Sequence, residues 1–210
     1  MKHVKGTIFI FAALLVFGGV SAGQEAYEFE KQDVVVPDFP AEGFILDLGG
    51  GGEGVIGRLK GVQAVAIDIL KQELEDAPPG PLKTVMDARD LKFLDGSFNT
   101  ATAFYMLMYV QGADHEKVFR EVHRVLAPGG RFLIWEAVFP TRPDGNYRYG
   151  LVTLKIKLPS QEVETDYGGR WPDELHDLAY YSALARKTGF EVVRKEEKNG
   201  RQIYLELRKR

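Results

Sequence analysis

Cysteine is absent from the 210 residues, which excludes disulfides and thiol chemistry. No zinc-type spacing occurs, so no metal site is expected. Basic residues form no stripe. The 27 Lys and Arg are set against 30 Asp and Glu for a net charge of −3, and nucleic acid is not an obvious partner. There is no internal repeat and no low-complexity linker. What remains is the length and mixed composition of one ordinary domain with a sizeable core.

The amino terminus has its own pattern. Met1 to Gly6 carries Lys2 and Lys5 and no acid, and Thr7 to Val20 is almost wholly apolar. Val20-Ser21-Ala22 places small residues before Gly23, the layout of a cleaved signal peptide over residues 1–22. The apolar run is short of the ~20 residues of a spanning helix, which favours cleavage over anchoring. If uncleaved, residues 7–20 would be the membrane contact, with the basic end in the cytoplasm. Removing Lys2 and Lys5 with this segment takes the charge from −3 to −5. Residues 23–210 are then the expected folded domain.

The most informative stretch is Ile45-Leu46-Asp47-Leu48-Gly49-Gly50-Gly51-Gly52-Glu53-Gly54. A buried strand ends and breaks into a glycine loop, where backbone can approach a ligand without an intervening Cβ. Gly49-x-Gly51-x-x-Gly54 fits the dinucleotide fingerprint, and Asp68 follows about 20 residues later at the end of a second apolar run, placed to accept a ribose diol. That ribose belongs equally to a nicotinamide cofactor and to S-adenosylmethionine. Asp47 separates the two, because a carboxylate at the root of the loop suits a ligand carrying an ammonium group.

Two further motifs follow in order. Residues 87–99 read Asp-Ala-Arg-Asp-Leu-Lys-Phe-Leu-Asp-Gly-Ser-Phe-Asn, and residues 118–134 read Val-Phe-Arg-Glu-Val-His-Arg-Val-Leu-Ala-Pro-Gly-Gly-Arg-Phe-Leu-Ile. With the glycine loop, they make residues 43–138 resemble the class I S-adenosylmethionine-dependent methyltransferases of the type 11 branch, with Asn99 in place of the usual Asp. The resemblance implies a Rossmann-like three-layer α/β sandwich: a seven-stranded, mostly parallel sheet with the last strand antiparallel. It implies a methyltransferase that uses S-adenosylmethionine on a small-molecule acceptor. It also implies roles for Asp47 (ammonium), Gly49, Gly50 and Gly51 (methionine and ribose), Asp68 and Ile69 (ribose), Asp87 and Ala88 (adenine), and Tyr105 (methionine end). Glu53 departs from the pattern, which has glycine there, and could crowd the cofactor's carboxylate. The rival readings are an exported, non-catalytic binding module with the same fold and a nicotinamide-dependent reductase. The signal-like segment implies export or anchoring, whereas cofactor supply favours the cytoplasm.

The remaining chain alternates between strand and helix patterns. Strands are expected at 44–48, 62–67, 82–86, 100–104, 132–138, 191–195 and 202–208. Helices are expected at 55–60, 71–76, 114–126 (capped by Asp114) and 173–188 (closed by Gly189). Asn199-Gly200 is a hairpin turn. No residue announces itself as a catalytic base. Tyr109 and Glu136 are the candidates by position; His115 is expected at the solvent and His123 at the surface or in packing. Residues 139–172 form an insertion in which Val152, Leu154, Ile156 and Leu158 alternate with Thr153, Lys155 and Lys157. A β-hairpin is expected, ringed by Arg142, Tyr147, Tyr149, Tyr167, Arg170 and Trp171. It would serve as a lid over the acceptor or as a homodimer surface.

Overall fold

The structure is a computed structural model and describes residues 26–145 and 147–210; the signal-like segment 1–22 lies outside the described residues. Among the described residues ten strands run in chain order: β1 (Ala26–Val35), β2 (Ile45–Leu48), β3 (Ala64–Asp68), β4 (Leu82–Val85), β5 (Phe98–Phe104), β6 (Leu126–Ala137), β7 (Tyr149–Lys157), β8 (Glu162–Arg170), β9 (Phe190–Lys198) and β10 (Gln202–Lys209). Among the same residues four α-helices are interspersed: α1 (Val55–Lys60), α2 (Lys71–Asp76), α3 (Gly112–Val125) and α4 (Leu178–Lys187).

Seven strands make one sheet in the order β4-β3-β2-β5-β6-β10-β9. β2 through β6 run parallel, and β10 is antiparallel to both its neighbours. Strands buried on both faces read as apolar runs, and here alternate side chains feed opposite layers. Leu46, Leu48, Ala101, Phe132 and Ile134 pack under α3 and α4, beside Val118, Phe119, Val122, Tyr181 and Leu184. Ile45, Leu133, Trp135 and Ala137 face the other way.

That second face differs from the expected helical layer. It is covered by Val55 and Ile56 of α1 and by a separate three-stranded sheet, β1-β7-β8. The insertion is the expected hairpin, with Tyr149 opposite Arg170 and Lys157 opposite Glu162. β1 is not among the expected strands. It pairs parallel to β7, with an irregularity between Phe29 and Gln32. Val152, Leu154, Ile156 and Leu158 are all buried in this layer with Phe29 and Val34. Their apolar face is therefore covered by the chain itself. Full burial stabilises each such side chain by roughly 1.5–3 kcal/mol.

Several boundaries move for identifiable reasons. α3 starts at Gly112 after Gln111, so Asp114 lies in its first turn rather than at the cap. Asp114 instead pairs with Arg89 and Lys117. His115 is fully buried, not solvent-facing. It shares one helix face with Val118, Phe119 and Val122, the spacing of a core stripe. β6 runs through Pro128-Gly129-Gly130, with register displaced between the pairs Phe98–Leu126 and Thr100–Arg131. α4 begins only at Leu178, where the Asp177 side chain accepts the Tyr180 N–H at 2.8 Å. It ends at Thr188, and Gly189 follows with φ +94. Asn199 and Gly200 both adopt positive φ, as a tight hairpin turn requires.

Candidate functional site

In an open parallel sheet, ligands sit beyond the carboxyl ends of the strands. Here those ends carry Asp47 on β2, Asp68 on β3, Tyr105 after β5 and Glu136 on β6. The glycine loop leaves β2 and closes on the sheet through Gly50 N–H, which donates to the Ile67 carbonyl at 3.0 Å. Gly52 N–H donates to the Glu73 carbonyl at 2.9 Å, tying the loop to α2.

Two glycines are demanded by this geometry. Gly49 has φ +67, and a Cβ there would strike the Met106 side chain. A Cβ on Gly51 would lie 2.5 Å from Glu73 Cβ and 2.9 Å from Asp68 Oδ2. The loop thus holds its backbone against the two carboxylate-bearing elements. A side chain would part them.

Asp47 is 2% exposed. Among the described residues its one hydrogen-bond donor is the Thr102 hydroxyl, 2.8 Å from Oδ1. Burial pushes its carboxyl up to about 7, with the nearby Asp68 charge adding to the effect. A buried carboxylate normally has a cation or several donors. Asp68 Oδ1 accepts the Leu70 N–H at 2.9 Å, and burial raises this carboxyl too. Glu73 is raised by burial and by Asp68, Glu53 and Asp76. Among the described residues none of Asp47, Asp68, Glu53 or Glu73 forms an ion pair. The site is acidic, partly dry and uncompensated.

The other candidates are placed differently. Asp87 lies beyond β4, but Arg89 grips both its oxygens, with Nε at 3.0 Å from each, and continues to Asp114. Arg89 holds the Asp87 carboxyl below the usual carboxylate range. Ala88 is half-buried beside the core, and Ile69 is exposed. Tyr105 is turned from the loop toward the hairpin layer, where it stacks on Tyr167 and lies tilted against Phe104. Tyr109 lies close to Glu136, Glu53, Glu73 and Asp68; burial and their charges hold its hydroxyl well above the usual range. It therefore stays protonated and can donate a hydrogen bond, not accept a proton. Glu136 is fully buried and accepts N–H bonds from Leu107 at 2.7 Å and Ala137 at 2.9 Å. It caps the turn after β5, and burial lifts its carboxyl to about 8. His123 packs edge-on against Phe190.

Glu53 does not crowd the loop. Its carboxylate reaches across to the hairpin, accepting from the Thr165 hydroxyl and from the Tyr167 hydroxyl at 3.1 Å. Arg58 donates to the Glu53 carbonyl at 2.6 Å and to Gln161 Oε1 at 3.2 Å, a second tie between α1 and the β7–β8 turn. Glu73, Thr102 and Thr165 do not stand out as site residues in the sequence, whereas Tyr167 is among the aromatics expected around the hairpin. Of those three only Glu73 carries a signal there, since the start of the helix after Asp68 must face the glycine loop.

The sheet order and this loop agree with what the chain is similar to. A family model described as "Methyltransferase domain" matches residues 46–134. Over those residues the chain is similar to the class I S-adenosylmethionine-dependent methyltransferases. A sterol 4-C-methyltransferase of Caenorhabditis elegans is 30% identical over 110 residues, which are 52% of this chain and 30% of that protein. The ubiquinone/menaquinone biosynthesis C-methyltransferase of Desulfotalea psychrophila is 28% identical over 166 residues, 72% of this chain and 67% of that one. The chain thus spans less than a third of the nematode relative. A solved S-adenosylmethionine-dependent methyltransferase from Methanosarcina mazei shares the fold with a TM-score of 0.56 at 18% identity, covering 81% of this chain and 94% of its own.

The family's cofactor is S-adenosylmethionine, and the donor set of this site fits it. The cofactor brings an ammonium and a sulfonium, and the site offers acids without cations. Asp47 would face the ammonium, Asp68 the ribose diol, and the glycine loop the methionine and ribose portion.

Proposed function

We propose that this protein binds S-adenosylmethionine at the ends of β2 and β3 and methylates a small molecule held beneath the β7–β8 hairpin. The observation that carries this reading is Asp47: a carboxylate 2% exposed, at the root of a glycine loop, with one hydroxyl partner and no cation among the described residues. Keeping such a group is costly unless a cationic ligand completes it.

When bound, the cofactor supplies an activated methyl group on a sulfonium. The protein's work is alignment, and well-oriented reactants need little else. Asp47 and Asp68 fix the two ends of the cofactor's amino acid and ribose. The Gly49–Gly52 backbone sets the distance between them. Glu136 holds the turn at Leu107–Tyr109 in place by accepting the Leu107 and Met108 N–H groups. Glu53 and Arg58 tie the hairpin to the glycine loop and α1.

The test is isothermal titration of S-adenosylhomocysteine into the full chain, beside Asp68→Ala. The reading expects saturable binding in the wild type, weakened about 30- to 100-fold in the variant by loss of hydrogen bonds to a charged acceptor. A folded wild-type protein that binds nothing at high concentration would refute it.

A further inference from the structure

Glu53 stands where the family has glycine, and the structure gives it neighbours. Its carboxylate accepts from Thr165 and Tyr167 of β8. The Tyr167 ring stacks on Tyr105 with centroids 5.7 Å apart and planes at 20°. Tyr109 lies near enough for Glu53, Glu73 and Asp68 to act on its hydroxyl, and Tyr109 and Tyr105 both act on that of Tyr167. The Tyr105 and Tyr167 rings and a carboxylate thus meet between the glycine loop and the hairpin, with Tyr109 on the turn nearby. Tyr105 is 2% exposed, and its hydroxyl has no hydrogen-bond partner among the described residues. A buried hydroxyl without a partner is costly and points to a group that arrives from outside.

We propose that Glu53, Tyr105, Tyr109 and Tyr167 form the acceptor subsite, and that it selects an amine, held as a cation by the carboxylate and the ring faces. This rests on the cofactor reading above. Two arguments single out an amine. Aromatic faces combined with an acid are the standard receptor for organic ammonium groups. The second argument is charge flow. In methylation of an amine, the bound ammonium first gives its N–H proton to the Glu53 carboxylate; the freed nitrogen lone pair then forms the N–C bond, the C–S bond breaks with its pair left on sulfur, and the positive charge passes from sulfur to nitrogen. An acidic, partly dry surround stabilises that migrating positive charge. Methylation of a phenolate or carbanion needs a negative charge to develop on the acceptor, which the same surround opposes.

The probe is choline against its uncharged isostere 3,3-dimethylbutan-1-ol, with hydroquinone as the neutral ring. Each is titrated by calorimetry into the full chain, both free and saturated with S-adenosylhomocysteine. The subsite predicts choline binding at least about tenfold tighter than the isostere, as expected for a desolvated cation–π contact with an acid. Glu53→Gln should erase that preference while leaving S-adenosylhomocysteine affinity within about threefold. Tyr167→Phe, which keeps the stacked ring, should retain part of it. Equal binding of choline and isostere, tighter binding of hydroquinone, or a preference that survives Glu53→Gln would overturn the proposal. Loss of S-adenosylhomocysteine binding with choline preference intact would instead strike the cofactor reading alone.

Discussion

Asp47→Asn should stabilise the unliganded protein and cripple its cofactor site. Burial lifts the Asp47 carboxyl from 3.8 to about 7 in the folded state. Each tenfold change in proton affinity corresponds to ~1.4 kcal/mol, so the ionised group costs the folded state up to about 4 kcal/mol. The sign follows from linkage. An acid whose pKa is raised by folding binds its proton more tightly in the native state. Its penalty is absent below the unfolded value near 4, grows as pH rises toward 7, and is constant above. Asparagine keeps the shape and an oxygen for the Thr102 hydroxyl, and carries no charge to desolvate. At pH 8 the variant should be more stable by about 2–4 kcal/mol, a rise in Tm of roughly 5–15 °C for a chain of this size. At pH 5 most of that gain should vanish. S-adenosylhomocysteine binding should fall about 30-fold or more, because the ammonium loses its charge partner. The assay is urea and thermal unfolding of both proteins between pH 5 and 8, with calorimetric titration at pH 7.5. Equal destabilisation of the variant at pH 5 and pH 8 would refute the reasoning, since it would mean that the carboxylate is already compensated in the free protein.

Three further outcomes follow from the same geometry. Glu136→Ala should act in the opposite direction: it strands the Leu107, Met108 and Ala137 N–H groups, and unfolding should show a loss of about 2–3 kcal/mol. Gly51→Ala should abolish S-adenosylhomocysteine binding in calorimetry, because its Cβ would drive Glu73 and Asp68 away from the loop. His115→Ala should cost about 2–4 kcal/mol by urea unfolding: His115 Nε2 donates to the Leu107 carbonyl at 2.9 Å and Nδ1 lies 3.0 Å from the Tyr180 hydroxyl, so the change opens a cavity and removes both contacts, leaving the hydroxyl only its bond to the Gly112 carbonyl.

Much of this fold is legible from local rules. The bounds of α1 and α2 follow from Gly54, Gly61 and the Pro78-Pro79 break, which are local punctuation. The hairpin face 152–158 follows from strict alternation, and the 199–200 turn from its residue pair. The rest requires long-range information. β1 carries Tyr27, Phe29 and Val34 inward, but the irregularity between Phe29 and Gln32 breaks the period that would reveal it. Its partner β7 lies more than a hundred residues away. The residue type of His115 points to solvent and its spacing to the core; the spacing wins, because positions 115, 118, 119 and 122 form one buried stripe. Within the site, the carboxylates at strand ends are readable from the glycine loop outward. The destination of Glu53 is not, because it depends on how the hairpin folds back across the sheet. Tyr105 illustrates the same limit: its place after β5 is correct in sequence, while its ring direction is set by Phe104 and Tyr167.

The most direct test of the central claim is the crystal structure of the full chain with S-adenosylhomocysteine. The account predicts the ligand's ammonium within about 3 Å of an Asp47 oxygen or one water away, and its ribose hydroxyls on Asp68. A ligand bound elsewhere, or bound here with Asp47 still facing only Thr102, would contradict it.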